Sequence, residues 1–241
     1  MYVSAIVLAA GKGVRFGSTV SKPLVRICSK PVIVYSLKAL QEHPQVTDIV
    51  VTVNAENRAP IRALIRRYGI SKVRTVVFGG AERRDSVAHA LGSLHPCAAM
   101  VLIHDAARPF IDAKVISNVI AETKKIGAAI VGVPVKATIK RIAGSQRHTV
   151  TRSQDCEVRR VIKTLDRSNL WEIQTPQGFA VTVIREAFRR FGKTNVTDDA
   201  MLVERLGRRV SVVRGSYYNI KVTTPEDLVI AGAIAKQWKQ K

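Results

Sequence analysis

Six apolar runs of strand length alternate along the chain with stretches of helical periodicity, and this order restricts the fold more than any other feature. Val3 to Ala9, Ile49 to Val53, Val73 to Phe78, Met100 to Ile103, Ala128 to Val133 and Val210 to Val213 are essentially continuous rather than alternating. Continuous runs suit strands covered on both faces, whereas alternation marks a strand with one wet face. Between them, Pro31 to Glu42 places Val34, Leu37 and Leu40 on one helical face. Asn57 to Tyr68 does the same with Ile61, Leu64 and Ile65, and Glu82 to Leu94 with Val87, Leu91 and Leu94. A last helix opens with Thr224 as N-cap, Pro225 at its first position, and Glu226 and Asp227 where carboxylates favour the helix dipole. The alternation predicts an α/β fold of three layers, αβα, around a mostly parallel sheet. One domain over residues 1–241 accommodates it.

Residues 137–164 break the rhythm. Thr149 to Thr151 and Val158 to Ile162 are short β-like runs in a basic surround, and they predict a protruding β-hairpin arm. An arm buries little of its own surface, so it is expected to pack on another body, a partner subunit being the candidate.

The charge is the compositional outlier: 39 Lys and Arg against 18 Asp and Glu give +21. Such an excess attracts phosphates, whether of nucleic acid, nucleotides or lipid. Aromatic residues make up only 5% and do not interleave with the basic ones as a single-strand-stacking surface requires. Nucleic acid is therefore an unfavoured partner. No apolar run approaches the roughly 20 residues of a membrane span. The N-terminus runs into a core-like strand without a basic leader, so the expected location is cytoplasmic. Cys28, Cys97 and Cys156 are too scattered for a disulfide framework or a zinc site.

The first strand leads into Gly11-Lys12-Gly13-Val14-Arg15-Phe16-Gly17. Ligands of open α/β sheets bind at the carboxyl ends of strands, and glycines let backbone N–H groups approach a phosphate. The dinucleotide fingerprint fails, because Phe16 stands where its third glycine is needed and no acid occurs between Gly13 and Gln41. The Walker A loop fails because Ser18, not Lys, follows Gly17. A phosphate-type loop of another kind remains, with Lys12, Arg15 and Lys22 attached. After the fourth strand, His104-Asp105-Ala106-Ala107-Arg108-Pro109 puts a carboxylate on the same sheet edge, where it could hold Mg²⁺ against substrate phosphates. Gly79-Gly80-Ala81-Glu82-Arg83-Arg84-Asp85-Ser86 follows the third strand and enters a helix whose N-terminus could clasp a base or phosphate. The five histidines show no metal or triad spacing, and no Ser-His or Cys-His pair stands out.

Together these segments resemble one family. Leu8-Ala9-Ala10-Gly11-Lys12-Gly13-x-Arg15 with Lys22-Pro23 is similar to a nucleotidyltransferase signature. Gly79 to Val87, His104 to Pro109, Leu165-Asp166-Arg167-Ser168-x-Leu170-Trp171, Thr175-Pro176-Gln177 and Asn219-Ile220-Lys221-Val222-Thr223 narrow the resemblance to the 2-C-methyl-D-erythritol 4-phosphate cytidylyltransferases, across nearly the whole chain. The resemblance implies a Rossmann-like nucleotidyltransferase fold. It also implies that CTP and 2-C-methyl-D-erythritol 4-phosphate, with Mg²⁺, give 4-diphosphocytidyl-2-C-methyl-D-erythritol and pyrophosphate in non-mevalonate isoprenoid biosynthesis. Arg15 and Lys22 would stabilise the transition state; Arg167 and Lys221 would position the second substrate's phosphate. Gly79 and Ser86 would read the cytosine with backbone atoms of Ala9 and Ala10. Gly11, Gly13, Gly80, Arg83, Ala106 and Arg108 would complete the substrate contacts. Asp105 would touch the sugar alcohol or the metal shell, and Thr175 and Thr197 the polyol or its phosphate. A homodimer follows, with Arg167 serving the partner's site. The sequence departs from the family pattern at Pro23-Leu24 and at Ala137, and its stretch from Arg141 to Lys163 is long and basic. Ribitol 5-phosphate cytidylyltransferases share most of these motifs and are the alternative within the class. A basic nucleic-acid-binding protein is the alternative outside it.

Overall fold

The structure is a computed structural model, and residues 1–11, 21–143 and 159–238 are described. The strands are β1 (Val3–Leu8), β2 (Arg26–Ile27), β3 (Lys30–Pro31), β4 (Asp48–Val53), β5 (Val73–Phe78), β6 (Met100–Asp105), β7 (Ala128–Pro134), β8 (Lys140–Ile142), β9 (Val161–Thr164), β10 (Trp171–Ala180) and β11 (Ser211–Arg214). The helices are α1 (Val32–Glu42), α2 (Arg58–Arg67), α3 (Arg83–Gly92), α4 (Ala113–Ile126), α5 (Val181–Phe191), α6 (Ala200–Arg205) and α7 (Pro225–Trp238). Seven strands form one sheet in the order β11-β7-β10-β6-β1-β4-β5. All its neighbours run parallel except β10, which is antiparallel to both β6 and β7.

The apolar runs of β1, β4, β6 and β7 are buried on both sides because their alternate residues enter two different cores. β5 and β11, at the two edges of the sheet, are only partly covered and leave Phe78 and Val212 exposed, against the expectation that every continuous run is buried on both faces. Val3, Ala5 and Val7 of β1 pack under α1, α2 and α4, with Leu37, Ile61 and Ile116. Ile6 faces the opposite layer, with Val87 of α3, Ile184 of α5 and Leu202 of α6. The expected three-layer αβα arrangement is what forms. A third, smaller core around the fully buried Phe110 holds α7 and Val222 against β2 and α1.

β10 was not among the apolar runs. Its segment reads as polar, with Glu172, Gln174, Thr175 and Gln177, yet Gln174 to Phe179 is buried. Gln174 and Thr175 are hydrogen-bonded across the sheet end and Gln177 Nε2 donates to Asp198, which offsets most of the cost of burying them, while Gln177 Oε1 is left without a partner. The close pass of β10 under α4 needs Gly178, where a Cβ would collide with Thr123 and Val119.

The arm begins as expected. β8 and β9 pair antiparallel, Lys140 opposite Thr164, as an exposed ribbon apart from the main sheet. Thr149 to Thr151 and Val158 lie outside the described residues.

Candidate active site

β1, β4, β5 and β6 deliver their carboxyl ends to one edge of the sheet. Ala9 to Gly11, Asn54, Gly79 to Arg83 with Ser86, and Asp105 with Ala107 line a cavity of about 640 Å³ there, closed by Lys22 and by Lys221 and Thr223. That volume suits a nucleotide-sized ligand. Gly79 permits a close contact in the wall, since a Cβ on it would overlap Ala10 and the Ser86 hydroxyl. The Gly80 N–H donates to Ser86 Oγ at 3.1 Å, and that hydroxyl donates to Glu82 O at 3.2 Å. Glu82 and Asp85 form a reciprocal capping box at the start of α3, which fixes the turn.

Four charges alternate in a row, Lys221, Asp105 and Arg83 on the cavity lining and Asp199 buried behind Arg83. Asp199 Oδ2 lies 2.8 Å from Arg83, Arg83 Nε lies 3.5 Å from Asp105 Oδ1, and Lys221 Nζ lies 2.7 Å from Asp105 Oδ2. Burial alone would raise the Asp105 carboxyl, but Lys221 and Arg83 outweigh it and hold the group well below the usual carboxylate range. Burial pushes Asp199 up against the pull of Arg83.

A directed chain of hydrogen bonds lies beneath Asp105. His104 Nε2 faces the Arg108 carbonyl at 3.0 Å, so that nitrogen carries the proton. Burial lowers the His104 pKa to about 4 and keeps the ring neutral. Its Nδ1 therefore accepts from the Thr175 hydroxyl at 3.0 Å, and Thr175 Oγ1 accepts the Asp105 N–H at 3.0 Å. Arg108 donates to Asn219 O at 2.8 Å and Ile173 O at 3.2 Å, while Asn219 donates to Gln174 and Thr175. The loop bearing Lys221 is thereby fastened to β6 and β10.

The expected site residues separate into groups. Ala9, Ala10, Gly11, Lys22, Gly79, Gly80, Arg83, Ser86, Asp105 and Lys221 line the one cavity. Thr175 and Arg108 are buried behind it, with their polar groups turned to Asp105, His104 and backbone carbonyls. Ala106 is buried, and its carbonyl accepts from Ser36. Thr197 is exposed outside the cavity lining. Arg167 sits between β9 and β10, its guanidinium donating to Lys136 O of its own chain. Gly13 and Arg15 lie outside the described residues. Sequence reasoning did not reach Asp199, Asn54 or Asn57. Each sits at or just before a helix start, where such residues ordinarily read as caps.

Among the described residues no group of three or more His, Cys, Asp or Glu could hold a metal by itself. No helix among them is long and apolar enough to cross a membrane.

The chain matches the family model described as 2-C-methyl-D-erythritol 4-phosphate cytidylyltransferase over residues 3–237. The chain belongs to this family. A Bacillus cytotoxicus protein of that name is 43% identical over 228 residues, 94% of each chain. One from Alkaliphilus metalliredigens is 41% identical over 241 residues, 98% of this chain and 94% of its own. The solved 4-diphosphocytidyl-2C-methyl-D-erythritol synthase of Anaerococcus prevotii superposes with a TM-score of 0.80 at 28% identity, covering 98% of this chain and 96% of that one. The Thermus thermophilus cytidylyltransferase gives 0.75 at 28% identity, covering 98% of this chain and 100% of that one. The protein is thus a cytidylyltransferase, of a family that generally uses a divalent metal.

The neutral, buried His104 carries a pH signature. Its folded value, about 4, lies below the ordinary 6.5 of the unfolded chain, so its stabilisation is complete above pH 6.5 and is lost as pH falls from 6.5 towards 4. The loss is on the order of 3 kcal/mol. His43, also lowered by burial, adds to the same slope. Asp105, held low, keeps its contribution until pH falls below the ordinary carboxylate range. Denaturant unfolding between pH 8 and 4 should show the decline, and His104→Gln should flatten much of it. A slope identical in wild type and variant would remove His104 from this account.

Proposed function

We propose that the protein transfers the cytidylyl group of CTP to 2-C-methyl-D-erythritol 4-phosphate, releasing pyrophosphate and 4-diphosphocytidyl-2-C-methyl-D-erythritol, as a step of non-mevalonate isoprenoid biosynthesis. The observation that supports it most is the gathering of motif segments distant in sequence (the Ala9–Gly11 turn, Gly79 to Ser86, Asp105 and Lys221) around one cavity.

The attacking group is an oxygen of the polyol phosphate, already ionised near neutral pH, so the site needs neither a base nor a protein nucleophile. The lining hydroxyls agree with this. Ser86 is held by Gly80 and Glu82, Thr52 accepts the Ala9 N–H, and Thr223 donates to Asp227 at the start of α7. The chain's task is to bring two mutually repelling anions together and to neutralise charge as it develops on the α-phosphate. Lys22 enters from the glycine-rich side and Lys221 from the opposite wall. Lys221 is half-exposed and paired with Asp105, so an incoming phosphate can share its ammonium without a large rearrangement.

The donor set fits Mg²⁺ bound with a nucleotide. Such an ion takes one or two carboxylates and leaves its other positions to phosphates and water. Asp105, kept ionised at the cavity floor, would hold it. When bound, the ion supplies charge neutralisation on the triphosphate. In this reading the protein works in the cytoplasm as a homodimer, the 137–164 arm embracing the second subunit and carrying Arg167 to its site. A guanidinium suits that role because it grips a phosphate with two parallel hydrogen bonds.

Pyrophosphate release with CTP should require both Mg²⁺ and methylerythritol phosphate. Lys22→Ala and Arg15→Ala should each lose about 10²–10³ in turnover while remaining folded. Faster release with ribitol 5-phosphate would move the protein to the alternative polyol. Arg167→Ala and Lys22→Ala should be individually inactive, yet regain activity when mixed under subunit exchange, because one site of each mixed dimer receives both native residues. Absence of recovery, with exchange proven by a mass-tagged subunit, would place Arg167 in its own chain's chemistry.

A further inference from the structure

Asn57 is fully buried at the N-cap of α2, yet its side chain makes no cap bond to that helix. Its carboxamide is divided between two tasks. The oxygen accepts the Asn54 N–H at 3.0 Å, and the Asn57 N–H returns a bond to Asn54 Oδ1 at 2.9 Å, closing the turn after β4. The nitrogen donates to Ala9 O at 2.9 Å and to Ser21 Oγ at 3.0 Å. Ala9 and Ser21 flank the glycine-rich segment, one just before it and one just after it. Asn54 adds a bond of 3.3 Å to Ala10 O. The carbonyl of Ser21 accepts the Leu24 N–H at 2.8 Å, opening the short turn that carries Lys22. One buried NH₂ group thus joins the entry of the segment to its exit and to the base of the Lys22 turn.

We propose that Asn57 is a positioning residue for the cytidylyl transfer: its amide nitrogen ties the backbone of Ala9 to Ser21 at the base of the Lys22 turn, and so sets where Lys22 meets the triphosphate relative to the Ala9–Gly11 turn. This rests on the reading of the cavity as a CTP site. Asn57 is absent from the cavity lining, so it acts through the backbone of Ala9 and through Ser21 and not by touching the nucleotide. Its effect falls mainly on the phosphate half of the ligand, through Lys22. The Gly79–Ser86 side of the base wall has its own support in the capping box of α3, and the clasp reaches the base only through the backbone of Ala9 and Ala10.

The test compares CTP with cytidine, which keeps the base and ribose but has no phosphates. Asn57→Asp retains the oxygen that serves the Asn54 turn and removes both donated bonds. Calorimetric titration with CTP, and cytidine measured as a competitor of CTP, give the two affinities; thermal melting checks the fold. Losing the two donated bonds should weaken CTP binding by at least about tenfold. Cytidine affinity should fall several-fold less than CTP affinity, because the α3 side of the base wall is untouched and only the Ala9 and Ala10 backbone is shared. Ser21→Ala, at a partly exposed position, removes only one bond and should shift the CTP-to-cytidine ratio in the same direction by about two- to threefold. A folded Asn57→Asp that weakened both ligands equally, or neither, would overturn the clasp. Should that variant not fold, an unchanged ratio in Ser21→Ala would overturn it as well. A wild-type chain that bound no CTP would instead bring down the reading of the site, and this proposal with it.

Discussion

A carboxylate buried at the end of a central strand stays ionised only if cations compensate it, and Asp105 has two. Lys221 arrives from the loop before α7, and Arg83 from the first turn of α3, itself held by Asp199 at the start of α6. The need to satisfy one charge therefore draws four distant stretches of chain to one point. The same attraction that orders the cavity floor keeps an anion and two cations where phosphates are to be received. Removing either cation would leave a buried charge short of a partner, which is costlier than never having buried it.

The polar layer beneath serves that point. β10 is the antiparallel intruder in a parallel sheet, and its Thr175 hydroxyl is fixed in direction by a histidine that burial keeps neutral. Its neighbour Gln174 donates to Ser216 O, and Asn219 returns a bond to Gln174 Oε1, so the loop bearing Lys221 is sewn to the sheet. Buried networks of this kind stiffen a site in proportion to how many members are satisfied; here Arg108 Nε and Asn219 Oδ1 are left without a partner while their other polar atoms are bonded. The geometry of Asp105 and Lys221 is set from behind, leaving the cavity side free for ligand.

Much of this was legible in the sequence, for a physical reason. Strands covered on both faces must be apolar throughout, so β1, β4, β6 and β7 announce themselves within a residue or two; β5 reads in sequence as a run of the same kind although it lies at the sheet edge, only partly covered. β10 was invisible because its buried residues are polar, and polarity reads as exposure unless the partners 40 residues away are known. On the cavity wall, Gly79 and Ser86 could be placed from their position between a strand and a helix, and Lys221 only through the family resemblance. Asn57 and Asp199 could not. Both occupy helix N-caps, a position that explains an Asn or Asp without further cause, and both turn their side chains away from that use. The arm was readable only as a break in rhythm, of which β8 and β9 are the described part.

Among the described residues, the site has its hydroxyls committed elsewhere and no histidine in its lining. Under the proposed function it would perform a single in-line displacement at the α-phosphorus. The most direct test uses CTP made chiral at that phosphorus by a sulfur substitution, followed by determination of the configuration in the cytidylyl product. One displacement by the polyol phosphate gives inversion, which is the outcome the proposed function predicts. Retention would mean two displacements through a covalent cytidylyl–protein intermediate, and would contradict the account at its centre.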